Sequence, residues 1–130
     1  MRLITVKDET MSGDVLNEIL IHINNERMTV KKLIASRVEA EVNAYNEKQP
    51  EYFRGFVKPT DAEKTLNGYK MKTGKKVDPE QQIYVAWEAF QNNGFFILVD
   101  NIQCESIDQE VLVNENTSIS FLKLTPLVGG

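Results

Sequence analysis

The sequence has few of the residue types from which catalytic and metal sites are built. It contains one cysteine, Cys104, and one histidine, His22, among 130 residues. A single cysteine excludes an internal disulfide, and a histidine without a nearby cysteine or acidic cluster gives no metal-ligand pattern. No nucleophile–base pair or phosphate-binding glycine loop is recognisable. We therefore expect no catalytic residue, no metal and no bound cofactor, with Cys104 in the core and His22 structural or at the surface.

A strong charge of one sign and a long apolar run are also lacking. The formal net charge is -4, which argues against a nucleic-acid binder, because such proteins displace phosphate counterions with Lys and Arg. No apolar run approaches the roughly 20 residues of a membrane span, and the opening MRLITVKDET turns polar too early for a signal peptide. We expect a cytoplasmic protein with neither a nucleic-acid nor a membrane partner, forming one domain over residues 1–130.

The first third of the chain predicts a hairpin followed by a helix. Two apolar runs flank the turn-forming stretch at residues 12–14, and Ile19, Ile21 and Ile23 alternate, as on one face of a strand. Thr29 can cap the helix, which should end by Gln49 because Pro50 follows. The apolar stripe consists of Val30, Leu33, Ile34, Val38, Val42 and Tyr45. The polar side expected to face solvent carries Lys31, Lys32, Glu39, Glu41 and Glu47.

The stretch from residue 50 to residue 77 has little periodicity. Thr60 followed by Glu63 fits a capping box, and Gly68 fits a left-handed helix cap, so we expect a short helix here. Apolar side chains are numerous enough to pack this segment onto the domain rather than leave it as a mobile loop. These side chains are Tyr52, Phe53, Phe56, Leu66 and Tyr69.

The remaining sequence predicts a second helix and a β-rich end. Asp78 fits an N-cap before Pro79, and Asn92, Asn93 and Gly94 can end the helix. Its predicted buried stripe contains Ile83, Ala86, Trp87 and Phe90. A buried strand, "FFILVD", a short returning segment and a last strand, "TSISFLKL", follow. In the last strand Ile119, Phe121 and Lys123 should share a face, and Pro126 should end sheet pairing.

This order of elements resembles the β-grasp fold of ubiquitin and its relatives. A hairpin comes first, "TVKKLI" stands where such proteins start their helix, and the last strand leads into a tail, "LTPLVGG". The segment "ILVDNIQ" to "SISFLKL" and the terminal diglycine is similar to the closing segment of the molybdopterin-synthase small subunit and the thiamine-pathway sulfur carrier. The resemblance implies an α+β fold, a mixed sheet packed on a helix, with a helical insertion at approximately residues 47–93.

The resemblance also implies a role for the terminal residues. In the resembling families an activating enzyme uses ATP to adenylate the terminal carboxylate, which here belongs to Gly130. Glycine has no Cβ, so Gly129 and Gly130 can thread a narrow channel. Leu127 and Val128 are the expected anchors for the activating enzyme. Because the sequence ends on the diglycine, we expect no protease to be needed to expose it.

Three functions remain open. The first is a bacterial ubiquitin-like modifier, joined by activating and conjugating enzymes to an amine of a target protein; some bacterial operons of this kind are linked to antiphage defence. The second is a sulfur carrier with a terminal thiocarboxylate for molybdopterin- or thiamine-type biosynthesis. The third is a non-covalent interaction or self-assembling module. In none of these is the chain itself an enzyme, and the insertion favours the first.

Overall fold

A computed structural model describes residues 2–48, 50, 52–60, 62–66, 68–71 and 76–123. The chain opens with the predicted hairpin, in which strand β1 (Arg2–Glu9) pairs antiparallel with strand β2 (Val15–Ile23). Gly13 in the connecting turn has a φ of 94°, a value that favours glycine. Ile21 and Ile23 are buried and Ile19 is partly buried, which confirms the predicted apolar face.

Helix α1 (Val30–Lys48) follows a short strand, β3 (Arg27–Thr29). The Thr29 hydroxyl accepts a hydrogen bond from the Lys32 amide at 3.1 Å, as predicted for the cap. The predicted stripe is buried throughout. One prediction about the polar side is wrong: Glu41 is only 9% exposed, because a later segment of the chain packs over it. Lys31, Lys32, Glu39 and Glu47 are exposed.

The predicted short helix between residues 50 and 77 is wrong. The described part of this stretch forms a small sheet of strands β4 (Tyr52–Phe53), β5 (Glu63–Thr65) and β6 (Gly68–Lys70), in the order β4-β6-β5. Gly68 has a φ of 131° at the start of β6 rather than at a helix end. Burial of Phe53 and Tyr69, which pair across the sheet, outweighs the local capping signals. Leu66 is fully exposed, against expectation.

The second predicted helix is confirmed as α2 (Pro79–Gln91). The Asp78 carboxylate accepts hydrogen bonds from the backbone amides of Glu80 and Gln81, and Asn93 just beyond the helix has a φ of 61°. Ala86 and Phe90 are buried, whereas Ile83 and Trp87 are partly buried. The Trp87 indole N–H donates to the carbonyl of Lys31 at 3.0 Å. This contact fastens α2 to the start of α1.

The described residues form four further strands: β7 (Phe95–Val99), β8 (Ile102–Gln103), β9 (Glu110–Leu112) and β10 (Ile119–Lys123). The main sheet has the order β2-β1-β10-β7-β8. β10 lies parallel to β1, and the other neighbours are antiparallel. β3 pairs with β9 apart from this sheet. The fold is α+β with a mixed sheet packed on α1; we call these two elements the body, and residues 52–71 the small-sheet segment.

Candidate functional site

The last described strand, β10, lies at the centre of the main sheet. Val6 of β1 is opposite Ile119, and Phe95 of β7 is opposite Lys123. Ile119 and Phe121 are both 1% exposed, which confirms that they share the buried face. The predicted site residues come just after this strand. Leu127, Val128, Gly129 and Gly130 all lie outside the described residues.

Lys123 is held in place by the small-sheet segment. Its ammonium group donates to the Tyr69 hydroxyl at 3.1 Å and to the carbonyl of Phe56 at 3.3 Å. The same nitrogen lies 5.6 Å from the centres of both aromatic rings, within the range of a cation–π interaction. Lys123 shares the inward face of β10, as predicted, and it joins the last strand to residues more than fifty positions earlier.

An aromatic cluster lies beneath this contact. The Phe56 ring packs edge-on against Phe95 and Phe121, with centroids 5.0 and 5.6 Å away. Phe95 and Phe121 stack at 5.8 Å, and Phe90 of α2 is 5.7 Å from Phe95. Such pairs contribute roughly 0.5–1.5 kcal/mol each beyond the apolar area that they bury. The cluster therefore ties β7, β10, α2 and the small-sheet segment together at one end of the sheet.

A buried ionic network borders the same cluster. The guanidinium of Arg37, a residue 1% exposed, donates to both carboxylate oxygens of Asp8, with Nη2 at 2.7 Å from Oδ2. Its Nε and Nη2 also donate to Glu41 Oε2 at 3.1 and 3.0 Å. The cation stands 4.7 Å above the Phe56 ring and 4.8 Å above the Phe121 ring. Arg37 therefore links β1, α1 and β10 through one side chain.

Glu41 extends this network to the small-sheet segment. Its Oε2 accepts a hydrogen bond from the backbone amide of Phe56 at 2.8 Å. Burial raises the pKa of Glu41, and the charge of Arg37 with its hydrogen bonds offsets only part of that rise. Burial lowers the pKa of Arg37, but the carboxylates of Asp8 and Glu41 outweigh it, so that the pKa is raised. Arg37 therefore stays charged.

Sequence reasoning missed the network, although a signal was present. Arg37 follows Leu33 by four residues and Ile34 by three, and Glu41 follows Val38 by three. Both charged residues therefore stand within the apolar stripe of α1, at spacings typical of core positions. A charged pair four residues apart inside such a stripe indicates a buried ion pair.

The two rare residue types occupy unremarkable positions. Cys104 is 3% exposed, and burial raises the pKa of its thiol, as expected for a core residue that stays protonated. His22 lies on the exposed side of β2. Among the residues that the structure describes, no group of three or more His, Cys, Asp and Glu side chains is placed to hold a metal ion.

Comparisons with known proteins identify no relative of this chain. Neither the protein-family models, nor the curated proteins, nor the solved structures contain a match to the chain. Within the described part of the chain, neither helix has the length and apolar character needed to cross a membrane.

Proposed function

We propose that the chain is a ubiquitin-like protein of the β-grasp type. An activating enzyme adenylates the carboxylate of Gly130 with ATP and releases pyrophosphate. AMP is then displaced as the acyl group is passed on to an amine of a target protein in a bacterial conjugation pathway. Support comes from the sheet order β2-β1-β10-β7-β8, with β10 parallel to β1 and one helix packed across the sheet. A first hairpin, a helix that crosses the sheet and a last strand that leads into the tail are the features that the sequence resemblance implies, and this order is compatible with them.

The single observation that carries the proposal is the central, buried position of β10. Its flanking strands hold β10 within the body, and the contacts of Lys123 hold the end of the strand to the small-sheet segment. A tail of seven residues that follows a fixed strand reaches at most ~25 Å when extended. An activating enzyme that binds the body in one orientation therefore holds the Gly130 carboxylate within a limited distance of its active site. This restriction lowers the entropic cost of the reaction.

The small-sheet segment favours a modifier over a sulfur carrier. Phe56 and Tyr69 contact Lys123, the last described residue before the tail. A sulfur carrier has to insert its tail deep into a synthase, and extra bulk beside the start of the tail obstructs that insertion. A modifier presents its tail to an activating enzyme and then to an exposed amine, so the same bulk is tolerated.

Sulfur transfer is the second candidate, because the two stretches that resemble the sulfur carriers lie on neighbouring strands of the main sheet. "ILVDNIQ" spans most of β7 and β8, and "SISFLKL" covers β10, which pairs with β7 along its length. In that role the tail would carry a thiocarboxylate. The third candidate, a non-covalent module, requires no chemistry at Gly130 at all.

Intact mass spectrometry of the protein expressed with its chromosomal neighbours tests the proposal. The mass spectra should show isopeptide-linked products on target proteins. A separate ATP–pyrophosphate exchange assay should detect formation of the adenylate. A terminal thiocarboxylate without such products would select sulfur transfer. An unaltered tail beside every candidate activating enzyme would leave only the non-covalent role.

Deletion of Gly129 and Gly130 is the matched control. The truncated chain should keep the unfolding transition of the full chain, because β10 ends at Lys123, and should lose pyrophosphate exchange completely. Loss of the folded state on truncation would contradict a tail that acts apart from the body. Retained exchange would rule out adenylation at Gly130.

A further inference from the structure

A cavity of about 800 Å³ lies where the small-sheet segment meets α1 and β2. This volume is within the range of small-molecule sites in proteins. Most of the lining is apolar or aromatic and includes Ile19, Ala40, Ala44, Tyr45 and Tyr52. The ring of Tyr45 is fixed by Phe53, which packs edge-on against it at 5.4 Å. The cavity is therefore large enough for one small organic molecule with a flat, apolar body.

One oxygen of the buried Glu41 carboxylate is left for such an occupant. Oε2 accepts all the hydrogen bonds that Arg37 and the Phe56 amide donate to Glu41. Oε1 has no hydrogen-bond partner among the described residues. No side-chain oxygen that is sealed inside the described part of the chain lacks a partner, so Oε1 reaches open space. Because Glu41 lines the cavity, Oε1 is a hydrogen-bond acceptor in its wall.

The charge of the ion network favours an N–H donor at this point. Within the hydrogen-bonded network, the two carboxylates of Asp8 and Glu41 surround one cation, Arg37. One negative charge is therefore in excess. An acceptor that carries such a charge in a largely apolar wall is best satisfied by an amino group.

The opposite charge lies farther along the cavity. Lys48 and Arg54 also line it, and neither side chain has an ion pair or hydrogen bond within the part of the chain that the structure describes. Lys48 follows Glu41 by seven residues on α1, which places it two turns, or about 10 Å, along the helix. An occupant that satisfies both ends has an amino group at one end and an anionic group at the other.

We propose that this cavity binds an adenine mononucleotide. The exocyclic amino group donates to Glu41 Oε1, the planar base packs against Tyr45 and Tyr52, and the phosphate binds Lys48 and Arg54. A guanine base fits less well, because its ring N–H beside the amino group needs a second acceptor and Oε2 is already occupied. This site is separate from the ATP that the proposed activating enzyme consumes, and binding does not depend on chemistry at Gly130.

Isothermal titration calorimetry of the isolated chain with three ligands tests the proposal. AMP carries both groups, adenosine lacks the phosphate, and inosine monophosphate has a carbonyl in place of the amino group. In mildly alkaline buffer, which favours the ionised carboxylate, AMP should bind at least about tenfold more tightly than either. Amide resonances of residues 40–48 and 52–55 should shift. The chain without Gly129 and Gly130 should bind AMP equally well, so the result is independent of conjugation.

Glu41→Gln reverses the hydrogen-bonding character of the wall. Arg37 and the Phe56 amide offer only donors, so the carbonyl of the new amide must take the place of Oε2. Its N–H groups then take the place of Oε1. The variant should therefore prefer inosine monophosphate to AMP. Glu47→Gln, at an exposed position of the same helix, should keep the preference for AMP.

Two further variants change exposed residues of the lining. Arg54→Glu should weaken AMP binding at least about tenfold and leave adenosine binding unchanged, whereas Lys64→Glu, exposed elsewhere in the small-sheet segment, should change neither. Ala44→Trp fills the cavity and should abolish AMP binding. Asn43→Trp, at the neighbouring exposed residue outside the lining, should bind AMP like the unaltered protein.

Circular dichroism and unfolding midpoints establish which variants remain folded. The absence of saturable AMP binding, or equal affinity for the three ligands, would overturn the proposal. So would undiminished AMP binding to Ala44→Trp, an unchanged base preference in folded Glu41→Gln, or resonance shifts confined to residues outside the lining. If Glu41→Gln does not fold, the exposed substitutions at Arg54 and Ala44 decide the outcome.

Discussion

The body and the small-sheet segment bury their side chains by different means. In the body, apolar residues spaced by two along strands meet the apolar stripe of α1, and Val6, Ile21, Leu33 and Ile97 are fully buried. Where the small-sheet segment meets the body, Arg37 and two carboxylates share the interior with aromatic rings. A charged side chain is tolerated there because a distant part of the chain supplies its partners.

We call the contact between the small-sheet segment and the body the junction. Because this contact contains buried charges, its stability is sensitive to the substitution of a single polar residue. Removing a methyl group from the body leaves a small cavity that its neighbours partly fill. Removing one member of a buried ion network leaves a charge with no water to solvate it. Substitutions in the ion network and in the small-sheet segment therefore distinguish the two kinds of packing.

Replacing Arg37 with methionine should have the largest effect. The variant leaves Asp8 and Glu41 buried without their cation, and the free energy of unfolding should fall by about 3–5 kcal/mol. Urea denaturation measures the loss. Lys32→Met, on the exposed side of the same helix, should change it by less than about 0.5 kcal/mol. Equal losses in the two variants would show that the network does not hold the junction.

Gly55→Ala tests the packing of the small-sheet segment by itself. An added Cβ would lie 2.2 Å from Cε1 of Phe53, a residue 1% exposed. Because the enclosed ring has little room to move, we expect a loss of about 1–3 kcal/mol. Limited proteolysis should become faster within residues 52–71 and remain slow in the body. Leu66→Ala, at a fully exposed site, should behave like the unaltered protein, and a similar response from both variants would contradict tight packing.

Tyr69→Phe removes the hydroxyl that Lys123 contacts. The free energy of unfolding should fall by about 1 kcal/mol, the usual worth of one hydrogen bond. Hydrogen exchange should quicken at the end of β10, if the contact holds that strand to the small-sheet segment. Tyr84→Phe changes an exposed tyrosine and should leave both measurements unchanged. Unaltered exchange in Tyr69→Phe would mean that Lys123 is held by other contacts.

The smallest effect concerns pH. Burial raises the pKa of Glu41 above its ordinary value of 4.5, so the folded protein binds this proton more tightly than the unfolded chain does. The contribution of Glu41 to the free energy of unfolding should therefore fall as pH rises from about 4.5 through the raised pKa, and then level off.

Glu41→Gln provides the comparison, since the amide does not titrate. The stability of the unaltered protein relative to this variant should decrease with rising pH over that window. Glu47→Gln, at an exposed position of α1, controls for general charge effects. A difference that grows with pH would show that pairing with Arg37 outweighs the cost of burial.

Local signals predicted the body and α2 well. Alternation of Ile19, Ile21 and Ile23 indicated the inward face of β2, and Thr29 and Asp78 cap the two helices as expected. These signals succeed because strand alternation and helix caps depend on neighbouring residues. The same kind of reasoning failed in the small-sheet segment, where Gly68 begins a strand instead of ending a helix.

The candidate site was predicted only in part. The shared face of Ile119, Phe121 and Lys123 on β10 is confirmed. The roles of the residues from Leu127 to Gly130 stay a prediction, because those residues lie outside the described part of the chain. The contact between Lys123 and Tyr69 was not foreseen, since nothing local to either residue encodes a partner 54 positions away.

The positions of the hairpin, the two helices and the last strands follow from local sequence patterns, because periodicity and capping act over a few residues. The partners that Arg37 and Glu41 meet inside the protein, and the closure of the small-sheet segment over the end of β10, depend on contacts between distant parts of the chain. Whether a charge can be buried depends on the partners that surround it. For Glu41, one of those partners is the amide of Phe56, 15 residues further along the chain.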